Sequence, residues 1–440
     1  MIEKVLTFAQ QYQLFTPDHQ IIAAVSGGID SVVLCDLLAE LNLKFAIAHA
    51  NFGLRGEESD ADELFVKKLA KKYNVAFYSE HFNTKAFAAQ EKISTQMAAR
   101  TLRYTWFENL RQQLNYDRIV VAHHQSDTVE TILLNLTRGT GLPGLHGIAP
   151  KNGYLIRPLL CLRKDDIYDY VTTKQLIWRE DSSNETTVYQ RNKIRHEVIP
   201  VLKQLNPNLE HTVQQTAAKI SAAEILVNEY VQKVREQVLR TENGITYLDI
   251  AGLPSSAALP LILFELLQPY GFSFELTQSV IGTFAAESGK LFESVTHTLV
   301  KDREQLVITA KNLQAFGSYE ILADQKELIV PDLQLSLTHL TATNYKITTG
   351  KKVAALDYNL LQFPLKIRTW KEGDWFVPLG MNGKKKISDF LIDEKVPVNL
   401  KDRVRVLTSN NSIAWIIGYR LDNRFKITDK TEQVLEMKIK

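Results

Sequence analysis

Cysteine is nearly absent from the sequence: Cys35 and Cys161 are the only two, far apart and each in an apolar context. That excludes a disulfide framework and any CxxC metal or redox site, and it fits a reducing cytoplasm. An excess of one charge is also lacking, since the formal net charge is only +2. A nucleic acid would therefore be held by local basic surfaces rather than by an overall field. Long hydrophobic runs are missing too. The longest, around Leu259 to Leu267, is far short of the roughly 20 residues that cross a bilayer. Met1 to Phe15 carries Glu3 and Lys4 among spaced apolar residues, without the apolar centre and small-residue cleavage site of a signal peptide. A cytoplasmic protein with no membrane role is expected. No internal repeat, low-complexity tract or long flexible linker stands out, and no GxxxxGKS or GxxxxGKT segment exists, which excludes a Walker A loop and its lysine.

What is present is the balance of a globular chain: 440 residues, 45% hydrophobic and 23% charged, enough for two or three domains and a sizeable core. The first two hundred residues alternate. Ile21 to Val25 reads as a buried strand and Ser31 to Leu41 as an apolar-faced helix. Phe45 to His49, Val75 to Ser79 and Arg118 to Ala122 read as further strands, and Ser59 to Tyr73, Ser94 to Leu114 and Thr128 to Leu136 as further helices. Strands separated by helices of this length predict an α/β fold with a parallel sheet covered by helices on both faces. From Asn208 to Leu239 one long helical pattern follows Pro207, and Leu253 to Phe284 is again mostly helical. From Leu306 onward, short β-branched runs such as Leu365 to Thr369 and Ala414 to Tyr419 alternate with turn residues. The expected division is 1–205 as the α/β domain, 206–310 as a helical middle domain and 311–440 as a small α+β terminal domain.

The most informative stretch is Ser26-Gly27-Gly28-Ile29-Asp30-Ser31, between a predicted strand and a predicted helix. Two glycines let the backbone turn sharply and bring its N–H groups close to a ligand. The first helical turn adds unpaired donors and a positive dipole end. That geometry suits a phosphate or pyrophosphate, although a plain strand-to-helix connection with Ser31 as a cap has the same local look. The string resembles that of the PP-loop family, whose SGGxDS segment grips the pyrophosphate of ATP while the α-phosphate is attacked. The resemblance implies ATP contacts from Ser26, Gly27, Gly28, Ile29, Asp30, Ser31 and also His49.

Further strings narrow the resemblance. They are His49 to Arg55, Ala99-Arg100 with Arg103-Tyr104, His123 to Thr131, Gly139 to Leu142, Arg157 to Leu160, Asp181 to Asn184 and Arg191 to His196. Near the C-terminus, Gly373 to Trp375 and Lys384 to Leu391 continue the series. Together they are similar, in order and over nearly the whole chain, to the tRNA(Ile)-lysidine synthase family. Three positions depart from it. Members usually have histidine where Phe52 stands and a second aspartate where Ser126 stands, and some carry an acid where Gln96 stands. The resemblance implies adenylation of the C2 oxygen of cytidine 34 in an isoleucine tRNA with a CAU anticodon. The ε-amine of free L-lysine then attacks C2, giving lysidine, AMP and pyrophosphate. It implies ATP and Mg²⁺ as cofactors, leaves room for a homodimer, and assigns tRNA contacts to the terminal domain.

Chemistry of the side chains runs parallel to that plan. Asp30 and Asp127 are hard oxygen donors suited to Mg²⁺ on ATP phosphates, while Asp127 with Glu130 three residues on also reads as a capping box. His123 and His49 are suited to stabilising charge on the nucleotide, or to simple hydrogen bonding at a strand end. Arg100 and Arg103, three apart on a helix face, either neutralise charge developing on the α-phosphate or form a solvated stripe. Glu130 is the candidate for holding the substrate lysine by a charge-assisted contact. Arg191 and Arg195, one turn apart and followed by His196, form either a basic ridge for tRNA or a solvated face. Lys384, Lys385 and Lys386 form either a tRNA contact or exposed charge. Rival readings are an amidotransferase, which needs a glutaminase domain and nucleophilic cysteine not seen here, a thiolase with a sulfur centre, which needs paired cysteines, and an inactive tRNA-binding relative, whose phosphate loop would be damaged.

Overall fold

Helix α1 (Ile2–Gln11) leads into strand β1 (Gln20–Ala24), whose run Ile21-Ile22-Ala23 has no solvent-exposed surface. Because side chains alternate across a strand, Ile21 and Ala23 point into one apolar cluster and Ile22 into another. The first cluster takes in Val32, Leu34, Leu37 and Leu38 of α2 (Ile29–Glu40), with Val66 and Leu69 of α3 (Glu57–Lys72). The second is built on Phe107 and Leu110, which lie beyond β2 (Lys44–Asn51), β3 (Phe77–His81) and α4 (Thr84–Glu91), on α5 (Thr95–Gln113). A strand buried on both faces in this way is the central strand of a parallel sheet. α2 is buried nearly all round, and its one interior acid, Asp36, accepts hydrogen bonds from Tyr73 and Tyr170 at 2.8 and 2.9 Å.

The computed structural model describes residues 1–180, 190–286, 288–311, 316–343, 345–348 and 350–440. The first sheet continues with β4 (Arg118–Val120), β5 (Lys151–Asn152) and β6 (Leu155–Ile156), and its spatial order is β3-β2-β1-β4-β6-β5. All pairings are parallel except the short edge hairpin of β5 and β6. The expected helix-covered parallel sheet is therefore present, with α4 and the edge hairpin added. From β1 the chain winds outward through β2 to β3, then returns to place β4 on the other side of β1. The loops after β1 and β4 thus diverge from adjacent strand ends, at the switch point where open α/β sheets leave a crevice.

By its contacts the chain divides into two compact units, Met1–Val227 and Asn228–Lys440, the division falling within the helix Leu209–Val238. In the second unit the segment expected to be mostly helical does contain the helices Leu259–Leu267 and Phe274–Ile281. It also holds an antiparallel sheet of Leu239–Glu242, Ile245–Asp249, Gln305–Ala310, His297–Asp302 and Leu291–Glu293. Its strands are short and form local hairpins on either side of the two helices, and only the pairing of Ile245–Asp249 with Gln305–Ala310 joins the two sides. Two further antiparallel sheets and the small hairpin of Trp375–Phe376 with Lys385–Lys386 complete the β-rich terminal region. No helix among the described residues is long and apolar enough to cross a membrane.

Candidate active site

The turn from β1 into α2 is shaped by its two serines. Ser31 Oγ accepts from the Gly27 amide at 3.1 Å and donates to the Gly28 carbonyl at 2.8 Å, and Ser26 Oγ lies 3.4 Å from both Ser31 Oγ and the Gly28 amide. Gly27 has φ +96°, a conformation that disfavours any side chain, and a Cβ there would also press on Phe65. Ile29 packs its side chain against the core, and the amides of Ile29, Asp30 and Ser31 are first-turn donors without an i−4 carbonyl. Arg179 braces the turn from outside: its amide donates to the Gly27 carbonyl, while its guanidinium shares Asp62 with Arg55. The loop is thus a braced helix start of the kind that suits an anion.

β4 delivers the second loop. His124 caps α6 (Gln125–Arg138), and Asp127 at its third position accepts the His124 amide at 2.9 Å. A cap is therefore present, but Asp127 is its acid and His124 its first residue; Glu130 takes no part. His124 was overlooked in the sequence beside His123, although both sit in one strand-to-helix string. Its Nε2 stands between the two expected oxygen donors, 3.8 Å from Asp30 and 3.6 Å from Asp127. Burial raises the Asp30 carboxyl above its ordinary range, with His124 opposing and Asp127 adding to the rise. For Asp127 burial also pushes upward, but His124, Arg191 and the hydrogen bond from the His124 amide outweigh it and hold the group low.

Glu130, only 1% exposed, is gripped by two guanidinium groups from the helical segment after residue 190. Arg191 Nε reaches it at 2.6 Å and Arg195 Nε at 2.5 Å, and Arg191 also donates to Asp127 at 2.9 Å. A wide π-helical turn over Ile194–Val198 carries Arg195, a local irregularity frequent at functional sites. The expected lysine-holding acid and the expected tRNA-contacting arginines are thus one ion network.

A cationic group of a different kind lies around Tyr104. Arg100 and Arg103 stack on its ring at 4.9 and 5.2 Å, and Arg103 Nε is buried without a hydrogen-bond acceptor. Arg157 belongs to the same group electrostatically, since Tyr104 and Arg100 both act on its guanidinium. Burial first, with the Arg100 charge adding to it and Tyr104 opposing, pushes Arg103 and Arg157 below the usual guanidinium range. A cationic group with a donor left unpaired suits an anion. Arg157, which carried no assigned role in the sequence, also donates to His123 Nδ1 at 3.2 Å. His49, at 5% exposure, is held through Nδ1 on the Val25 carbonyl at 2.8 Å.

Of the departures from the family pattern, Phe52 stacks on Phe82 with ring centres 5.9 Å apart, an apolar role a histidine would fill less well. Ser126 Oγ lies 3.4 Å from Glu210, and Gln96 is exposed. Asp60, Glu63 and His81 gather near the ends of β2 and β3, but Asn51 already donates to both acids and His81 pairs with Glu63. In the terminal region Lys384 Nζ stands 3.9 Å from the Trp375 ring centre, Lys385 pairs with Asp393, and Lys386 is exposed. Ile387 and Phe390 are buried beneath the run. The Asp181 to Asn184 string lies outside the described residues.

Mg²⁺ demands hard oxygen ligands. Asp30 Oδ1 is buried and lacks a hydrogen-bond partner, as a ligand atom awaiting a cation would. Both Asp127 oxygens already accept one hydrogen bond each and retain lone pairs. The donor set fits the ion.

Comparison with known proteins agrees with this geometry. A PP-loop domain family matches residues 2–202, a TilS substrate binding domain residues 241–311 and a TilS substrate C-terminal domain residues 365–437. The tRNA(Ile)-lysidine synthase of Parabacteroides distasonis is 40% identical over 436 residues, covering 99% of both chains. That of Bacteroides thetaiotaomicron is 36% identical over 439 residues, again covering 99% of both. Among solved structures, the U34-tRNA thiolase NcsA from Methanococcus maripaludis is 15% identical with a TM-score of 0.42, covering 50% of this chain and 77% of its own. The full-length relatives, and not that partial likeness, carry the assignment. With its phosphate loop intact and its match running from one end to the other, the chain belongs to the tRNA(Ile)-lysidine synthase family.

Proposed function

We propose that the protein is an ATP-dependent ligase of the cytoplasm that joins free L-lysine to C2 of cytidine 34 in a tRNA(Ile) with a CAU anticodon, through an adenylated cytidine, releasing pyrophosphate and AMP. The observation that carries the reading is the convergence of the Ser26–Ser31 turn and the His123–Asp127 segment on the β1/β4 switch point, with His124 between two carboxylates. The turn's amides bind the pyrophosphate. Asp30 and Asp127 hold Mg²⁺, which neutralises phosphate charge when bound. Arg100 and Arg103 meet the charge that develops at the α-phosphate, and His123 and His49 hydrogen-bond the nucleotide.

Glu130 receives the lysine ammonium by exchanging one of its guanidinium partners for it. Arg191 and Arg195 each keep about a third of their side-chain surface in water beside this network, open to a nucleotide phosphate. Lys384 to Lys386 contact the tRNA elsewhere. In favour of the division into 1–205, 206–310 and 311–440, the first two family matches end at residues 202 and 311, close to two of those limits, while the second and third begin only at residues 241 and 365. The test is incubation with ATP, labelled lysine and tRNA(Ile) bearing CAU. The reading requires label in the RNA with one AMP per lysine; AMP without label overturns the ligation, and neither product overturns the reading entirely.

A further inference from the structure

We infer that Arg157 is a positioning residue that fixes His123 as the Nε2–H tautomer, so that this ring serves the reaction as a hydrogen-bond donor and not as a proton acceptor. The inference rests on the reading that His123 faces the nucleotide, and adds to it which nitrogen carries the proton and what holds it there.

An imidazole nitrogen is a donor or an acceptor according to its proton, and the partner of one nitrogen decides the state of the other. The guanidinium of Arg157 has no lone pair and never loses its proton in a protein. Its Nε–H points at His123 Nδ1 over 3.2 Å, so that Nδ1 must offer a lone pair and the ring proton must be on Nε2. Arg157 cannot turn away easily. It is 6% exposed, its Nη1 donates to the Ala149 carbonyl at 2.6 Å, and its amide donates to the Pro150 carbonyl at 2.9 Å. A second proton on His123 would set two cations against each other at that distance. Burial, with Arg157, Arg191 and Arg103 against it and Asp127 for it, holds the imidazole neutral, its pKa lowered to about 3.

His49, on strand β2, supplies the contrast. A backbone carbonyl can only accept, so its contact with Val25 O puts the proton on Nδ1 and leaves Nε2 as a lone pair. Two neutral histidines are thereby given opposite polarity, one by a guanidinium and one by a carbonyl. A donor at His123 suits a phosphate or a developing oxyanion; an acceptor at His49 suits an amino or hydroxyl group.

The experiment reads tautomers directly. In long-range nitrogen–proton spectra of the ¹⁵N-labelled full chain, with His123 assigned by its loss in His123→Ala, the wild type should show His123 with a bare Nδ1 and a protonated Nε2, and His49 with the reverse. A protonated Nδ1 on His123, or an imidazolium at neutral pH, overturns the inference, whatever the enzyme does. In Arg157→Met the His123 signals should move toward a tautomer mixture and kcat should fall on the order of tenfold, with KM for ATP little changed. The same change in a His123→Ala background should cost nothing more; an equal loss in both backgrounds overturns the positioning role. Should Arg157→Met fail to fold, the wild-type spectrum alone still decides. A wild type that incorporates no lysine while its His123 carries the Nε2 proton removes the proposed function and leaves the tautomer assignment standing.

Discussion

Asp127 and Glu130 hold their charges inside the protein and Asp30 holds its own at the rim, about one-third in water, whereas Lys384, Lys385 and Lys386 hold theirs at the surface. Asp127 and Glu130 are each met by named partners, and the ionisation of Asp30 and Asp127 is displaced from its ordinary range. The lysines sit on a two-stranded hairpin whose apolar underside is anchored, one over a tryptophan ring, one on an aspartate and one in water. Charge in low dielectric is specific and costly to disturb, while charge in water is additive, screened and cheap to remove. The first kind suits positioning of a reacting phosphate and the second suits holding a polyanion.

The largest effect that this contrast demands is at Asp30. Asp30→Asn should lower AMP formation by more than about a hundredfold, as expected for loss of a charge that organises a metal and phosphate, with tRNA affinity nearly unchanged. Its effect on stability should have the opposite sign. A carboxyl whose folded pKa lies above its ordinary 3.8 is a penalty to the folded state, absent at lower pH and growing as pH rises through the folded value. The ligand-free variant should therefore match or exceed the wild-type melting temperature at neutral pH and lose that advantage in acid. Wild-type turnover, or a clear loss of melting temperature, would place Asp30 in the scaffold instead.

At Asp127 the two kinds of role are superposed. Asp127→Asn keeps an acceptor for the His124 amide but loses the charge, so adenylation should fall by more than tenfold, with at most about 1 kcal/mol lost from the cap. If stability falls and adenylation does not, the cap is its whole function. Next in size is Glu130→Leu, which strands two guanidinium groups. Breaking a fully buried pair costs about 3–5 kcal/mol. Both arginines remain about one-third in water, so a loss of about 2 kcal/mol is expected, read by denaturant unfolding. A loss below about 0.5 kcal/mol would show that this network behaves like surface charge.

The smallest effects belong to the lysines. Replacing all three with alanine should weaken tRNA binding and flatten the slope of log K against log salt by up to about two units, at about 0.7–0.9 per phosphate contact. Because Lys385 is already paired with Asp393, Lys384→Ala and Lys386→Ala should each flatten the slope more than Lys385→Ala. The chemical step at saturating tRNA should survive. Equal slopes in wild type and triple variant would mean that the run is only solvated charge.

Much of the catalytic unit is written in local sequence. Ile21 to Ala23 can only be a strand buried on both faces, the glycine pair after it requires a tight turn, and the apolar run after Asp30 continues as a buried helix. These features depend on neighbours a few residues away, through alternation, helical spacing and backbone freedom. The long helix Leu209–Val238 was legible for the same reason, to within a residue at each end. In the middle segment the antiparallel sheet was not: its hairpins are built from short strands, and the pairing that joins them, Ile245–Asp249 with Gln305–Ala310, spans more than fifty residues.

The division of roles within the site was decided in space. Local sequence puts Asp127 and Glu130 three apart, as a capping box would have them, but folding brings Arg191 and Arg195 from sixty residues away to neutralise Glu130, and leaves Asp127 to serve His124. It sets His124 between two acids almost a hundred residues apart, and Arg157 against His123 so that one ring nitrogen is bare. Residue type defines which atoms can donate, accept or ionise. Which of them actually does depends on the dielectric and the partners around each atom, and those exist only once distant segments have packed together.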